Sequence, residues 1–145
     1  MIGRLRRLLG LGSNPPAGGD AAAEQARYTI EVSHHLGSPL VVLSGEIDHH
    51  SANQVRLALE RELVSPDQVV LFDLNGLTYL DSGGLALLFD LIRTLEEGWV
   101  GVIHPAPNVR RLLQISGLDT QENFRVFDDL EEARAALEAD GSAGL

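Results

Sequence analysis

The sequence predicts a single α/β domain, with a mostly parallel central sheet, an antiparallel hairpin at its N-terminal edge and about four helices. Three observations carry this. Period-two and period-3.6 apolar patterns mostly alternate along the chain, as in strands joined by helical crossovers. Val69-Val70-Leu71-Phe72 is a continuous β-rich apolar run, as expected of a strand buried on both faces. Two strand-like segments stand ahead of the first helical pattern, separated only by Gly37-Ser38-Pro39, and so pair antiparallel.

Taken in order, Tyr28, Ile30 and Val32 alternate with Thr29, Glu31 and Ser33, a half-buried strand. Leu40 to Leu43 is a second strand, ending at Gly45. Ser51 followed by Gln54 matches a capping box, with Ala52, Val55, Leu59 and Leu63 on one helical face and Pro66 closing the helix. The buried strand at Val69 ends near Leu74 and a loop follows. A second helix is predicted from about Gly83 to Glu96, with Leu85, Leu88, Phe89, Ile92 and Leu95 inward and Gly98 as its stop. Trp99 to Ile103 reads as a strand, with Trp99 beneath a helix. Pro107 to Ser116 reads as a third helix stopped by Gly117. Phe124 to Phe127 is a short last strand. Asp128 or Asp129 caps a final helix whose Leu130, Ala133 and Leu137 face inward, each acid having a Glu three residues on.

The domain is assigned to residues 27–140. A leader, 1–26, is basic at first and then Pro/Gly/Ala-rich; it is expected to be flexible and to contribute neither strand nor packed helix. Residues 141–145 form a flexible tail. The net charge is −10; Arg4, Arg6 and Arg7 put +3 in the first twelve residues, which leaves −13 on the rest. So acidic a body excludes nucleic acid as the main partner. No apolar run reaches the roughly 18 residues of a membrane span. The absence of cysteine excludes disulfides, thiolate metal sites and a cysteine nucleophile, and fits a cytoplasmic setting. There is no P-loop, dinucleotide turn or coherent ligand cluster, so no cofactor and no metal are expected. The pairs His34-His35 and His49-His50 read as surface histidines, since strand neighbours point to opposite faces and no helical i, i+4 pair is present.

The informative stretch is Leu77-Thr78-Tyr79-Leu80-Asp81-Ser82-Gly83-Gly84-Leu85. Ser82 stands at the mouth of an apolar helix, where its hydroxyl can serve as N-cap and where free amides favour an anion such as phosphate. Ser82 as a cap alone, Asp81 as a turn residue and Asp48 as a loop acid are the plainer readings. Asp-Ser-Gly-Gly also surrounds the nucleophile of trypsin-like proteases, but those are all-β two-barrel proteins, and Leu80 stands where their pattern has Gly. No G-x-S-x-G elbow occurs.

From about Tyr28 to Leu137 the chain resembles the STAS domain of sulfate transporters and anti-sigma factor antagonists. Gly45-Glu46-Ile47-Asp48, Val70-Leu71-Phe72-Asp73-Leu74 with Asp81-Ser82-Gly83-Gly84-Leu85, and Pro105, Val109, Leu112, Leu113, Gly117 and Leu118 carry the likeness in order. The resemblance implies a non-enzymatic antagonist that binds an anti-sigma factor serine kinase and thereby frees a sigma factor for transcription. It implies Ser82 as the phosphoacceptor, a phosphatase that reverses the modification, and Asp48, Asp81, Gly83 and Gly84 at the partner-binding surface. Gly83 departs from the pattern, which often has Ser or Thr there. Two alternatives imply other roles: a STAS accessory subunit of a membrane transporter, and a scaffold subunit of a stress-signalling complex.

Overall fold

Six strands and four α-helices follow one another in the computed structural model, which describes residues 6–9, 27–63 and 65–140. The strands are β1 (Arg6–Leu9), β2 (Tyr28–His35), β3 (Ser38–Ile47), β4 (Val69–Leu80), β5 (Trp99–Ile103) and β6 (Phe124–Phe127). The helices are α1 (His49–Glu60), α2 (Ser82–Thr94), α3 (Pro107–Ile115) and α4 (Leu130–Asp140), with a short 3-10 turn at Leu118–Thr120. The sheet order is the chain order, β1 to β6. β1, β2 and β3 pair antiparallel, and β3 to β6 pair parallel. The predicted parallel sheet with an antiparallel N-terminal edge is thus the fold observed.

Successive residues of each strand face opposite sides, and this divides the core in two. Val70, Phe72, Leu74, Val100 and Val102 point to one face, where Val55 and Leu59 of α1, Leu87, Leu88 and Leu91 of α2, and Val109 and Leu113 of α3 cover them. Val69, Leu71, Trp99 and Ile103 point to the other, under Ala133 and Leu137 of α4. Trp99 lies beneath a helix as predicted. Its indole N–H donates to Asp140, the Arg125 guanidinium stands 4.1 Å from the ring centre, and the Phe127 ring is 5.8 Å away.

Four local expectations need correction. Arg6–Leu9 of the leader adds an outer strand to β2, in register from Arg6↔Val32 to Leu9↔Thr29. The unpaired edge of β2 would otherwise present a row of open backbone donors and acceptors, so even a short extended segment finds partners there. The rest of the leader and the tail at 141–145 lie outside the described residues. The hairpin turn is Leu36-Gly37, both at positive φ, so β3 starts at Ser38.

β4 does not stop near Leu74 but runs to Leu80. Two register shifts against β3, between Val42 and Ser44 and between Gly45 and Glu46, each insert one extra residue into β4. The bulges lengthen the inward spacing from two residues to three, so that Leu74, Leu77 and Leu80 are all buried on the same face. Finally, α2 buries Leu87 and Leu91 beside Leu88 and Ile92, while Leu85 and Phe89 are only half-buried. The helix packs against both the sheet and α1, to which Asp90 is tied by an ion pair with Arg56 at 2.9 Å.

A chain beginning at Ala26 lacks β1 but keeps β2 paired with β3 at eight positions. Its thermal midpoint is expected to fall by a few degrees with cooperativity intact. An unchanged midpoint would remove β1 from the stable sheet.

Candidate functional site

β3 and β4 end level with each other, Ile47 opposite Leu80. Each is followed by an aspartate in nearly the same backbone conformation: Asp48 at φ −108°, ψ −169° and Asp81 at φ −105°, ψ −169°. Each aspartate caps the helix that follows. Asp48 accepts from the Ser51 amide at 2.9 Å, and the Ser51 hydroxyl accepts from the Asp48 amide at 2.7 Å, which closes a capping box. Asp81 accepts from the amides of Gly83 and Gly84 at 2.8 and 3.3 Å.

The sequence pattern predicts Ser51 and Ser82 at these caps, and the structure gives both caps to the aspartates. An aspartate is as good an N-cap as serine, and its charge also suits the positive end of a helix. Ser51 therefore becomes the third residue of α1 and is buried. Ser82 becomes the first residue of α2, exposed, with its hydroxyl unused by the cap. His49 and His50 belong to the first turn of α1 instead of preceding it.

Asp48, Asp81, Ser82 and Gly83 thus converge at the carboxyl ends of two adjacent parallel strands, the usual place for function in such sheets. Asp48 is exposed and Asp81 half-buried, while Gly83 and Gly84 are buried and shape the site by the space they leave. A Cβ on Gly83 would lie 2.6 Å from the His49 Cα and 3.0 Å from its Nδ1. Glycine stands here because the starts of α1 and α2 touch, which accounts for the missing second hydroxyl. From sequence His49 reads only as a surface histidine, with no place at the site. The repeated pairing of an apolar strand end with aspartate, Ile47-Asp48 and Leu80-Asp81, is the signal that could have found it.

The hydrogen bond from the Ser51 amide holds the Asp48 carboxyl below its ordinary range, outweighing partial desolvation. Tyr28, at the start of β2, has a buried hydroxyl with no hydrogen-bond partner among the described residues. Burial, and then the charge of Asp48, push its phenol up. His34 and His35 do face opposite sides: His34 meets Glu62 at 2.8 Å, and His35 accepts from the Arg134 Nε at 3.2 Å. Burial, followed by the charge of Arg134, lowers the His35 pKa.

Among the described residues no group of three or more His, Cys, Asp or Glu is arranged to hold a metal ion, and no helix is long and apolar enough to cross a membrane. An open groove of about 720 Å³ lies at the opposite ends of the strands, lined by Asp67, Glu96, Glu97, Glu122, Arg125 and Asp140 among others. At about 3.3 Å per residue the length of β4 separates it from Ser82 by roughly 35 Å.

The family model of the STAS domain matches residues 29–133. The chain belongs to the STAS domain family. An anti-sigma F factor antagonist of Paenibacillus polymyxa is 34% identical over 92 residues, 61% of this chain and 79% of the relative. The solved structure of an anti-sigma factor antagonist from Mycobacterium paratuberculosis matches this STAS domain with TM-score 0.68 at 30% identity, covering 77% of this chain and 94% of that one. The antagonist SpoIIAA matches in its unphosphorylated form, with TM-score 0.64, 25% identity and coverage of 76% and 96%. The phosphorylated form of SpoIIAA from Bacillus matches with TM-score 0.57, 25% identity and coverage of 74% and 98%.

Two measurements check the site. Gly→Ala inside a helix ordinarily stabilises by up to about 1 kcal/mol. Gly83→Ala is expected to do the reverse in urea melts, because its methyl meets the backbone of His49. The Asp48 carboxyl has a folded pKa below its ordinary 3.8. Its stabilisation is therefore complete above that value and is lost as pH falls through the lowered one. Asp48→Ala should cost about 1 kcal/mol at neutral pH, and the difference from the parent chain should shrink in acid.

Proposed function

We propose that this STAS domain is an anti-sigma factor antagonist in the cytoplasm, a non-enzymatic switch whose phosphoacceptor is Ser82. Unmodified, it binds an anti-sigma factor serine kinase and so releases a sigma factor for transcription. Phosphorylated by that kinase it lets go, and a phosphatase restores binding. Residues 27–140 form the switch, extended at the sheet edge by Arg6–Leu9 of the leader, with 141–145 as tail. Asp48 and Asp81 belong to the contact surface, and Gly83 and Gly84 give it its shape.

The observation that carries this reading is that Asp81 takes the cap and leaves the Ser82 hydroxyl exposed at the carboxyl end of β4. A serine needed to hold its helix would be costly to modify; this one is not needed. The relatives named as anti-sigma factor antagonists, one of them solved with and without phosphate, support the same role.

Phosphate adds about −1.5 to −2 charges. They arrive beside Asp81 on a chain of net charge −10. A partner that must bury that dianion without a counter-charge loses affinity, and about 2.8 kcal/mol is already a hundredfold. Binding to the cognate anti-sigma factor at one salt concentration tests this. Ser82→Ala should bind like the parent and resist phosphorylation. Ser82→Asp should bind more weakly, by a smaller factor than phosphate because it carries less charge, with its circular dichroism spectrum unchanged. Equal affinity of the unmodified and phosphorylated chains would sink the switch and favour a transporter-subunit role.

A further inference from the structure

A phosphate on Ser82 arrives at a helix start where the amides of the next three residues are already engaged. The amides of Gly83 and Gly84 are held by the Asp81 carboxylate, and the Leu85 amide donates to the Asp81 carbonyl at 3.1 Å. Two of the amides that ordinarily receive an anion at a helix N-terminus are thus occupied, and occupied by a like charge. A compensating positive charge has to come from a side chain. The first turns of α1 and α2 read His49-His50-Ser51-Ala52 and Ser82-Gly83-Gly84-Leu85, with no arginine, and the whole chain contains no lysine. The imidazoles are therefore the only groups on these two turns able to carry positive charge.

Of the two, His49 is the one lodged against α2. Its Cα and Nδ1 crowd the space that a Cβ on Gly83 would take, at 2.6 and 3.0 Å, one residue along from Ser82. The residue is exposed, and no hydrogen bond or ion pair engages its ring among the described residues. Charged and titratable groups beside it include Asp48, which caps its helix, and His50 on α1, and Asp81, whose carboxylate oxygen stands 3.1 Å from the same Gly83 Cβ position. From β2, the buried Tyr28 hydroxyl lies within electrostatic reach of Asp48.

We propose that His49 is the phosphate-positioning residue of the Ser82 switch. Once Ser82 is modified, its imidazolium donates to a phosphate oxygen and holds the group between the starts of α1 and α2. A charge-assisted bond of this kind is stronger than a neutral one and favours the dianion over the monoanion. His49 is not needed for the fold, since the α1 cap is made by Asp48 and Ser51. The proposal rests on Ser82 being the phosphoacceptor.

The test uses the full chain with phosphoserine installed at position 82 during synthesis, followed by phosphorus NMR as a function of pH. Free phosphoserine has its second ionisation near about 6. The parent chain is expected to titrate lower than His49→Ala, by about threefold or more in proton affinity. His49→Arg, a fixed cation at the same place, should restore the low midpoint, and His50→Ala should leave it near the parent value. Identical titrations of the parent and His49→Ala overturn the proposal. So does an equal change in His49→Ala and His50→Ala, which would mean a diffuse field in place of a contact. Because the phosphate is installed directly, the result does not depend on any kinase. Failure of the Ser82 reading would instead show as kinase-treated chain carrying phosphate at another residue, found by phosphosite mapping.

Discussion

The contact between the starts of α1 and α2 governs the geometry of the site. Ile47 and Leu80 end level in the sheet, so the two helices begin side by side and leave no room for a side chain at position 83. That register is built upstream. β4 carries two more residues than its partner over the paired span, and each bulge also brings another leucine inward. Leu77 and Leu80 thereby fasten the end of the strand to the core. Removing either bulge would leave Asp81 out of step with Asp48 and draw the helix starts apart.

Both aspartates contribute the ordinary stabilisation of an N-cap, about 1 kcal/mol each. What they do for the site is larger than that figure. By serving as caps they release a serine from structural duty in the second helix, and a serine in the first is drawn inside to complete its box. The same local chemistry therefore yields a hydroxyl facing solvent on one helix and a buried hydroxyl on its neighbour. The difference is set by position: Ser82 is the first helical residue and Ser51 the third.

Most of the architecture was legible because burial imposes periodicity. The Val69–Phe72 run and the α1 stripe of Ala52, Val55 and Leu59 are legible from apolar patterning, and the helix from Pro107 to Ser116 from its Pro start and its Gly117 stop. The later half of β4 was not, since bulges turn a period of two into one of three and Leu74-x-x-Leu77-x-x-Leu80 no longer looks like a strand. β1 was missed because four residues carry too little pattern; their pairing depends on the free edge of β2, which only the assembled sheet provides. The candidate site was legible in its residues and not in their roles. Asp81 and Ser82 stand one apart and both make good caps, and nothing in the letters says which takes the amides. His49 reads from sequence as a surface histidine, and only the contact between the two helix starts sets it beside Ser82.

Trp99 is the single tryptophan of the chain, packed under α4 with Arg125 and Phe127 around it and its indole N–H held by Asp140. Trp99 opens β5 and Asp140 ends α4, which puts the indole near the beginnings of the parallel strands, a full strand length from Ser82. The molecule thus contains a fluorophore that answers to the seating of its last helix and is insulated from events at the serine. Intrinsic emission can serve as an internal gauge of structural integrity while the modification state at the far end changes, with no label introduced.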